Sequence, residues 1–169
     1  MPEYMKNATP IYQIVSDGMD AEQYGHFSKL IRRKQREYQI EQLPLSSMTM
    51  DESIAKYLDE FTLYDSENDE EIRLNDIQKH DINLVLQKRN MLLQWEQGSG
   101  KTLAGIATGL YRMERQNAFC TWVVSSAISI KNNWDVVLPC YGLPYVMVNR
   151  MKDLEKIKRG DFVIITLNM

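Results

Sequence analysis

Apolar residues recur at helical spacing through the first part of the chain. Between residues 24 and 38 they return every three or four positions, which predicts an amphipathic helix capped by Asp20. A second helix is predicted to begin at a capping box formed by Thr49 and Glu52. We therefore expect residues 1–64 to form a helical N-terminal region.

From residue 74 onward the pattern changes to short apolar runs separated by helical stretches. Strands that alternate with helices indicate βαβ crossovers and hence a parallel sheet. We expect an α/β fold with flanking helices over residues 74–169. The predicted helices cover residues 75–88, 103–116, 130–138 and 151–158, and the predicted strands cover residues 90–95, 119–125, 145–148 and 161–166.

A dense run of acidic side chains separates the two regions. Residues 65–71 read DSENDEE. Like charges packed this closely repel one another and are difficult to bury. The run predicts a solvated acidic linker over residues 65–73.

The composition is typical of a globular chain, because 44% of the 169 residues are hydrophobic and 25% are charged. A net charge of −3 does not show the strongly basic character that would indicate nucleic-acid binding by the whole chain. Cys120 and Cys140 lack metal-ligand or disulfide spacing, which predicts core residues in a reducing compartment. No apolar run approaches the about 20 residues of a membrane span, and no signal-peptide pattern is present. We expect a cytoplasmic protein that does not bind membranes, and a nuclear location is also compatible with the sequence.

A glycine-rich loop lies between a predicted strand and a predicted helix, where residues 95–102 read WEQGSGKT. The backbone N–H groups of such a loop turn inward around phosphate oxygens. Lys101 would then reach the β and γ oxygens, and the Thr102 hydroxyl would reach a magnesium ion. The positive end of the following helix strengthens the attraction. The loop predicts a nucleoside triphosphate with Mg²⁺ as the ligand.

One position departs from the strict phosphate-loop pattern, which places a glycine where this chain has Trp95. An ordinary Gly-Ser turn before a lysine is the alternative interpretation. The apolar run before the loop and the helical spacing after it favour the phosphate site.

Several segments resemble, in order and content, the first RecA-like domain of superfamily-two helicases, especially Snf-type double-stranded DNA translocases. WEQGSGKT aligns without a gap with that family's usual Asp-Glu-Met-Gly-x-Gly-Lys-Thr. The chain departs from the family in lacking an arginine and a proline before Gln78, and in having Ser126 for proline and Leu167 for an aromatic residue. The matching segments are LNDIQ at 74–78, WEQGSGKT at 95–102, VVSSA at 123–127, Asn133-Trp134, and DFVIIT at 161–166.

The resemblance implies a partial RecA-like domain over residues 74–169 that uses ATP and Mg²⁺. It implies that Gln78 hydrogen-bonds the adenine edge. It also implies that nucleic acid, double-stranded DNA in this family, is held through backbone phosphates near Ser126, Lys131 and Thr166. A second RecA-like lobe of the same protein is the expected further partner. The residues predicted to bind nucleotide and metal are Gln78, Glu96, Gln97, Gly98, Ser99, Gly100, Lys101 and Thr102.

Hydrolysis in this class needs a strand that ends in Asp-Glu, and a second lobe normally supplies an arginine. No such pair follows Thr102, and Asp59-Glu60 lies before the loop on a predicted helix. We therefore predict no catalytic residue in this chain. We expect a fragment that ends before its catalytic acid, binds nucleotide weakly and does not turn it over, within an ATP-dependent helicase or translocase.

Two other functions remain open from the sequence. The chain could belong to another phosphate-loop enzyme, such as a nucleotide kinase or a clamp-loader-type ATPase. It could also be a non-catalytic interaction module that keeps the fold without the chemistry. Nucleotide binding that depends on Lys101 is expected of the helicase fragment and of another phosphate-loop enzyme. It is not expected of the interaction module.

Overall fold

A computed structural model describes residues 19–167 of the chain. The described residues form two compact units that divide after Pro44. The predicted helical region over residues 1–64 is therefore split between the units, and its residues 1–18 lie outside the described part.

The first unit contains one long helix, α1, over Ala21–Gln42. Asp20 caps it as predicted, because its side chain accepts a hydrogen bond from the Gln23 backbone N–H at 2.8 Å. The Gln23 side chain accepts one in return from the Asp20 backbone, which completes a capping box. No residue of α1 is buried.

The second unit is mixed α/β. Its elements, in chain order, are a 3₁₀ turn Leu45–Ser47, α2 Glu52–Glu60, β1 Thr62–Asp65, β2 Glu70–Arg73, α3 Asp76–Gln87, α4 Lys101–Arg115, β3 Thr121–Ser125, α5 Ala127–Ser129, a π-helical turn Ile130–Trp134, α6 Asp135–Cys140, β4 Tyr145–Val148, a 3₁₀ helix Met151–Lys156 and β5 Phe162–Thr166.

Helix α2 begins one residue after Asp51, which caps it in place of the predicted Thr49. The Asp51 carboxylate accepts hydrogen bonds from the backbone N–H groups of Ser53 at 2.9 Å and Ile54 at 3.1 Å. A carboxylate directly before the helix is a better acceptor at this position than a hydroxyl farther away. The fully buried Asn83 of α3 holds the start of α2 in place. Its side chain hydrogen-bonds both the backbone N–H and the carbonyl oxygen of Asp51, each at 2.9 Å.

The predicted acidic linker over residues 65–73 is instead part of a β-hairpin. Strands β1 and β2 pair antiparallel, with Leu63 opposite Ile72 on the apolar face. Asp65 is 7% exposed, and its carboxylate accepts hydrogen bonds from the Cys140 thiol at 2.9 Å and the Asn68 side chain at 3.0 Å. A carboxylate with this many donors can be buried, and the remaining acidic side chains point to solvent.

The predicted parallel sheet is confirmed with three strands in the order β3-β5-β4. Strands β3 and β4 both pair with β5 in parallel, so the most buried strand lies in the middle. The predicted helices over 75–88 and 103–116 and the three strands after them are also confirmed. The stretch predicted as a helix over 130–138 begins earlier and contains a π-helical turn, and the last predicted helix is a 3₁₀ helix.

The strand predicted over residues 90–95 is not formed. The side chains of residues 91–95 do alternate between half-buried and exposed, as in a strand. A strand also requires ladder hydrogen bonds to a neighbour, and no segment within residues 19–167 pairs with this one. The loop is therefore preceded by unpaired backbone.

Helix α4 lies directly on the sheet because of one glycine. A Cβ atom on Gly109 would come within 2.8 Å of Thr121 Oγ1 and 3.0 Å of Phe162 Cε1. A Cβ on Gly105, one turn earlier, would meet the Trp134 ring at 3.1 Å. Since Thr121 begins β3 and Trp134 follows its carboxyl end, α4 runs antiparallel to β3.

The core of this unit is built around α4 and the sheet, with α2 and α3 packed against them. The largest fully buried side chains are Phe162, Leu58, Ile82, Ile106, Leu138, Ile164, Val163 and Asn83. Within residues 19–167, no helix has the length and apolar character to cross a membrane.

The hairpin's buried carboxylate makes the stability of this unit depend on pH. Hydrogen bonds from Cys140 and then from Asn68 lower the pKa of Asp65 from 3.8 to about 2. Because the folded-state pKa is lower than the unfolded one, the contribution is present above pH 3.8 and is lost as the pH falls toward 2.

We expect Asp65→Asn to destabilise the unit most at neutral pH and progressively less below pH 4. Urea unfolding of both proteins between pH 7 and pH 2 measures this convergence. Glu70→Gln, an exposed carboxylate on the same hairpin, is the control and should follow the unsubstituted protein. A difference between Asp65→Asn and the unsubstituted protein that stays constant over this range would contradict the account.

Candidate functional site

The loop predicted to bind phosphate connects the unpaired segment 91–95 to the first turn of α4. Gly98 has φ +82° and Gly100 has φ +87°, both in the left-handed region. Residues with a side chain rarely adopt this conformation, which explains the two glycines. The loop turns sharply at each of them, and Lys101 then begins the 15-residue helix α4.

The loop lies at the carboxyl end of the sheet. Its position follows from the direction of α4, because Gly109 in the middle of the helix lies next to the start of β3, and Gly105, closer to the loop, lies next to Trp134. In open parallel sheets, ligands bind at this end. The loop therefore lies toward the end of the sheet that the sequence predicted, and ligand binding there stays a prediction.

The Lys101 ammonium folds back onto its own loop. It donates hydrogen bonds to the carbonyl oxygens of Trp95 at 2.8 Å and Glu96 at 2.6 Å. The Ser99 hydroxyl donates to the same Glu96 carbonyl at 2.6 Å. The polar groups of the loop thus satisfy one another, and the ammonium contacts neutral oxygens only.

Helix α3 holds the loop at both ends. At the start, the Trp95 indole N–H donates to the Asp81 carboxylate at 2.7 Å. At the end, the Gln78 side-chain N–H donates to the Ser99 carbonyl at 2.9 Å. The tryptophan that replaces the first glycine of the pattern is therefore an anchor for the loop.

Sequence reasoning missed the roles of Asp81 and Asn75. Asn75 caps α3 and forms a capping box with Gln78, with side-chain to backbone distances of 2.9 and 3.0 Å. The Asn-x-x-Gln spacing is a readable signal for this box. No local signal indicates Asp81, because its partner lies 14 residues later in the chain.

The other predicted nucleotide and metal residues are also in or next to the loop. Glu96 and Gln97 are exposed, and Thr102 is half-buried in the first turn of α4. Within residues 19–167, no three His, Cys, Asp or Glu side chains are grouped so as to hold a metal ion. The role of Thr102 toward Mg²⁺ stays a prediction that depends on a bound nucleotide. Asp59 and Glu60 lie on α2, as expected for residues outside a catalytic pair.

The residues predicted to contact nucleic acid lie at the ends of neighbouring strands. Ser126 follows β3 and Thr166 ends β5, where Ser125 is paired with Thr166. Ser126 also caps the short α5, because its hydroxyl accepts a hydrogen bond from the Ser129 N–H at 3.2 Å. Lys131 is exposed on the π-helical turn. Ser126 and Thr166 therefore lie at the carboxyl end of the sheet, and Lys131 lies in the segment that follows β3.

Asn133 and Trp134 have structural contacts. The Asn133 side chain donates to the Ser129 carbonyl at 3.2 Å, within its own helical segment. The half-buried Trp134 packs against Gly105 of α4. The tryptophan thus fixes the distance between the helix that carries Lys101 and the segment after β3.

A cavity of about 490 Å³ lies beside α4. Leu93 and Val85 border it on one side, and Cys120 to Trp122 border it on the other. Lys101 also lines it, whereas no residue from 96 to 100 does. This cavity is therefore bordered by the lysine of the predicted site and not by the loop backbone of residues 96–100.

The close approach of Gln78 to the loop predicts different costs at the two glycines. Gly98→Ala should cost about 1 kcal/mol of stability, from the left-handed backbone alone, since nothing lies within 4 Å of its Cβ position. Gly100→Ala should cost more, because its Cβ would lie 2.5 Å from Gln78 Nε2.

Urea unfolding of the two alanine variants, alone and combined with Gln78→Ala, measures the effect as a double-mutant cycle. The excess cost at Gly100 should disappear when Gln78 is removed, and the cost at Gly98 should not change. An equal loss of unfolding free energy at both glycines would show that the close approach of Gln78 to Gly100 does not affect stability. An extra loss at Gly100 that persists in the Gln78→Ala background would show the same.

No family model, no curated protein and no solved structure matches this chain.

Proposed function

We propose that this chain binds Mg²⁺-ATP through residues 96–102 and is the ATP-binding part of a Snf-type superfamily-two translocase. The observation that carries the proposal is the loop itself. Two left-handed glycines shape its backbone, and Lys101 is placed at the N-terminus of a long helix. This combination suits phosphate oxygens and few other ligands.

The contacts of Lys101 support the proposal that its ammonium exchanges carbonyl oxygens for phosphate oxygens when a triphosphate binds. Its ammonium donates to two neutral carbonyl oxygens of the loop. A phosphate oxygen carries a negative charge and adds a Coulomb attraction to the ammonium that a neutral carbonyl oxygen does not provide. A triphosphate would therefore compete well for Lys101, and the helix dipole of α4 would favour the same anion.

The RecA-like part of the proposal is supported by the position of the loop. A three-stranded parallel sheet has helices around it, and the loop lies at the carboxyl ends of the strands. The segments that resemble the family are brought to that same end. Trp134 contacts the helix that follows the loop, and Thr166 pairs with Ser125.

Nucleic-acid contact is proposed through backbone phosphates at the same end of the sheet. Ser126 and Thr166 carry hydroxyl groups at the ends of two neighbouring strands, and hydroxyl groups can bond phosphate oxygens. Lys131 adds an exposed ammonium nearby in the chain. Contacts of this kind position a polymer without reading its sequence, and they weaken with salt.

Turnover is not expected from these residues. No strand between Thr102 and Leu167 ends in an Asp-Glu pair, and the acidic residues at strand boundaries have structural partners. The Asp161 carboxylate, before β5, accepts from the Lys158 backbone at 2.7 Å. We propose that the catalytic acid and the arginine of a second lobe come from polypeptide outside residues 19–167.

The ATP proposal predicts binding that depends on Lys101. Calorimetric titration with Mg²⁺-ATP should show one site, and Lys101→Ala should weaken it about tenfold or more, because a charged hydrogen bond is lost. Lys152→Ala, an exposed lysine on the 3₁₀ helix, is the matched control and should bind as the unsubstituted protein does.

Binding that Lys101→Ala leaves unchanged would rule out the phosphate loop as the site. The absence of any binding would favour the interaction module instead. Phosphate release that requires Lys101 would contradict the expected lack of turnover.

The nucleic-acid proposal predicts an affinity that falls with salt and ignores base sequence. Lys131→Ala should weaken duplex DNA binding equally for unrelated sequences and lower the salt slope by about 1. Fluorescence anisotropy at several salt concentrations measures both, with Lys152→Ala as the control. A sequence-dependent loss, or an unchanged salt slope, would count against a phosphate contact at Lys131.

A further inference from the structure

Gln78 uses both heteroatoms of its side-chain amide within the protein. Its Oε1 accepts a hydrogen bond from the Asn75 backbone N–H at 3.0 Å, which is half of the capping box of α3. Its Nε2 donates to the Ser99 carbonyl at 2.9 Å, across 21 residues of sequence. One side chain therefore joins the start of a helix to the middle of the phosphate loop.

The two partners fix which way the amide points. In the reversed orientation, Oε1 would face the Ser99 carbonyl oxygen, and Nε2 would face the N–H of Asn75. Both contacts would then place like groups together, an acceptor against an acceptor and a donor against a donor. The orientation found is the one that satisfies both neighbours.

The contact with Ser99 also sets the direction of a loop N–H group. In a trans peptide, the carbonyl of one residue and the N–H of the next point in opposite directions. When Gln78 draws the Ser99 carbonyl toward α3, the Gly100 N–H is turned away from α3. That N–H belongs to the backbone that the proposed function assigns to phosphate oxygens.

The fit between Gln78 and the loop is close. Nε2 would lie 2.5 Å from a Cβ on Gly100, so the amide occupies the space that any larger residue would need. The contact is also partly shielded from water. A hydrogen bond in this setting is held more firmly than one at an open surface.

We propose that the main role of Gln78 is to orient the phosphate loop rather than to recognise the adenine base. The inference rests on the proposed triphosphate site and differs from the adenine contact that the family resemblance implies. A bidentate contact to adenine needs one donor and one acceptor of the same amide. Oε1 is already held by the Asn75 N–H and Nε2 by the Ser99 carbonyl, so a base would have to share both atoms with these partners, through the second lone pair and the second N–H.

Three variants separate the two contacts of Gln78. Gln78→Glu keeps an acceptor for the capping box, where glutamate is well suited, and loses the donor to Ser99. Gln78→Ala removes both contacts and adds no charge. Asn75→Ala weakens the cap and leaves the contact between Gln78 and Ser99 in place, so it is the control for an effect on helix stability alone.

The test measures the dissociation constants of Mg²⁺-ATP, Mg²⁺-GTP and inorganic tripolyphosphate by calorimetry, with a thermal melt of each variant to show that it is folded. Both Gln78 variants should weaken the binding of all three ligands by a similar factor of about two to ten, the range of one hydrogen bond. The ratio of ATP to GTP affinity should not change. Asn75→Ala should lower the melting temperature and leave the three constants as they are.

The opposite pattern would overturn the inference. If Gln78→Ala weakens ATP but not tripolyphosphate, and the ATP to GTP ratio moves toward one, then Gln78 reads the base. Unchanged constants for all three ligands in both Gln78 variants would also overturn it. If the unsubstituted chain binds none of the three ligands, the proposed function fails and the inference fails with it. If the unsubstituted chain binds them and the Gln78 variants bind them equally well, the inference alone fails.

Discussion

The close packing of α4 against the sheet is the constraint on which the rest of the site depends. Gly109 allows the helix to approach Thr121 and Phe162 to a distance that a Cβ atom would prevent. Trp134 fills the space over Gly105 and fixes the other half of the helix. Because the middle of α4 lies at the start of β3 and Gly105 lies against Trp134, which follows β3, the N-terminal end of α4, with Lys101, is directed toward the carboxyl ends of the strands. The position of the loop is thus a consequence of helix packing.

The conformation of the loop depends on a second element, α3. Asp81 holds Trp95 at the entry to the loop, and Gln78 holds the Ser99 carbonyl before the helix begins. Between these two points, the left-handed glycines turn the backbone and Lys101 closes it on itself. Because both contacts come from α3, one helix holds the loop in this arrangement without a ligand. The anion binding proposed above would then have a lower ordering cost.

Much of the fold could be predicted from periodicity, because the spacing of apolar residues along the chain indicates amphipathic helices and buried strands. The features that could not be predicted depend on distant partners. Residues 90–95 look like a strand in composition, but strand formation needs a neighbour that the local sequence cannot reveal. Residues 65–73 look like a linker because the count of charges does not show that Cys140 supplies a donor to Asp65. The loop was predictable, whereas the role of Gln78 required its contact with Ser99.

The central proposal is that the backbone of residues 98–102 binds the phosphates of Mg²⁺-ATP. An NMR titration of the ¹⁵N-labelled chain with Mg²⁺-ATP tests it most directly, because each backbone N–H reports its own hydrogen bonding. The account predicts the largest shifts at the amides of residues 98–102, with little change in the β1–β2 hairpin. An absence of shifts in the loop at saturating nucleotide, or larger shifts elsewhere in the chain, would contradict it.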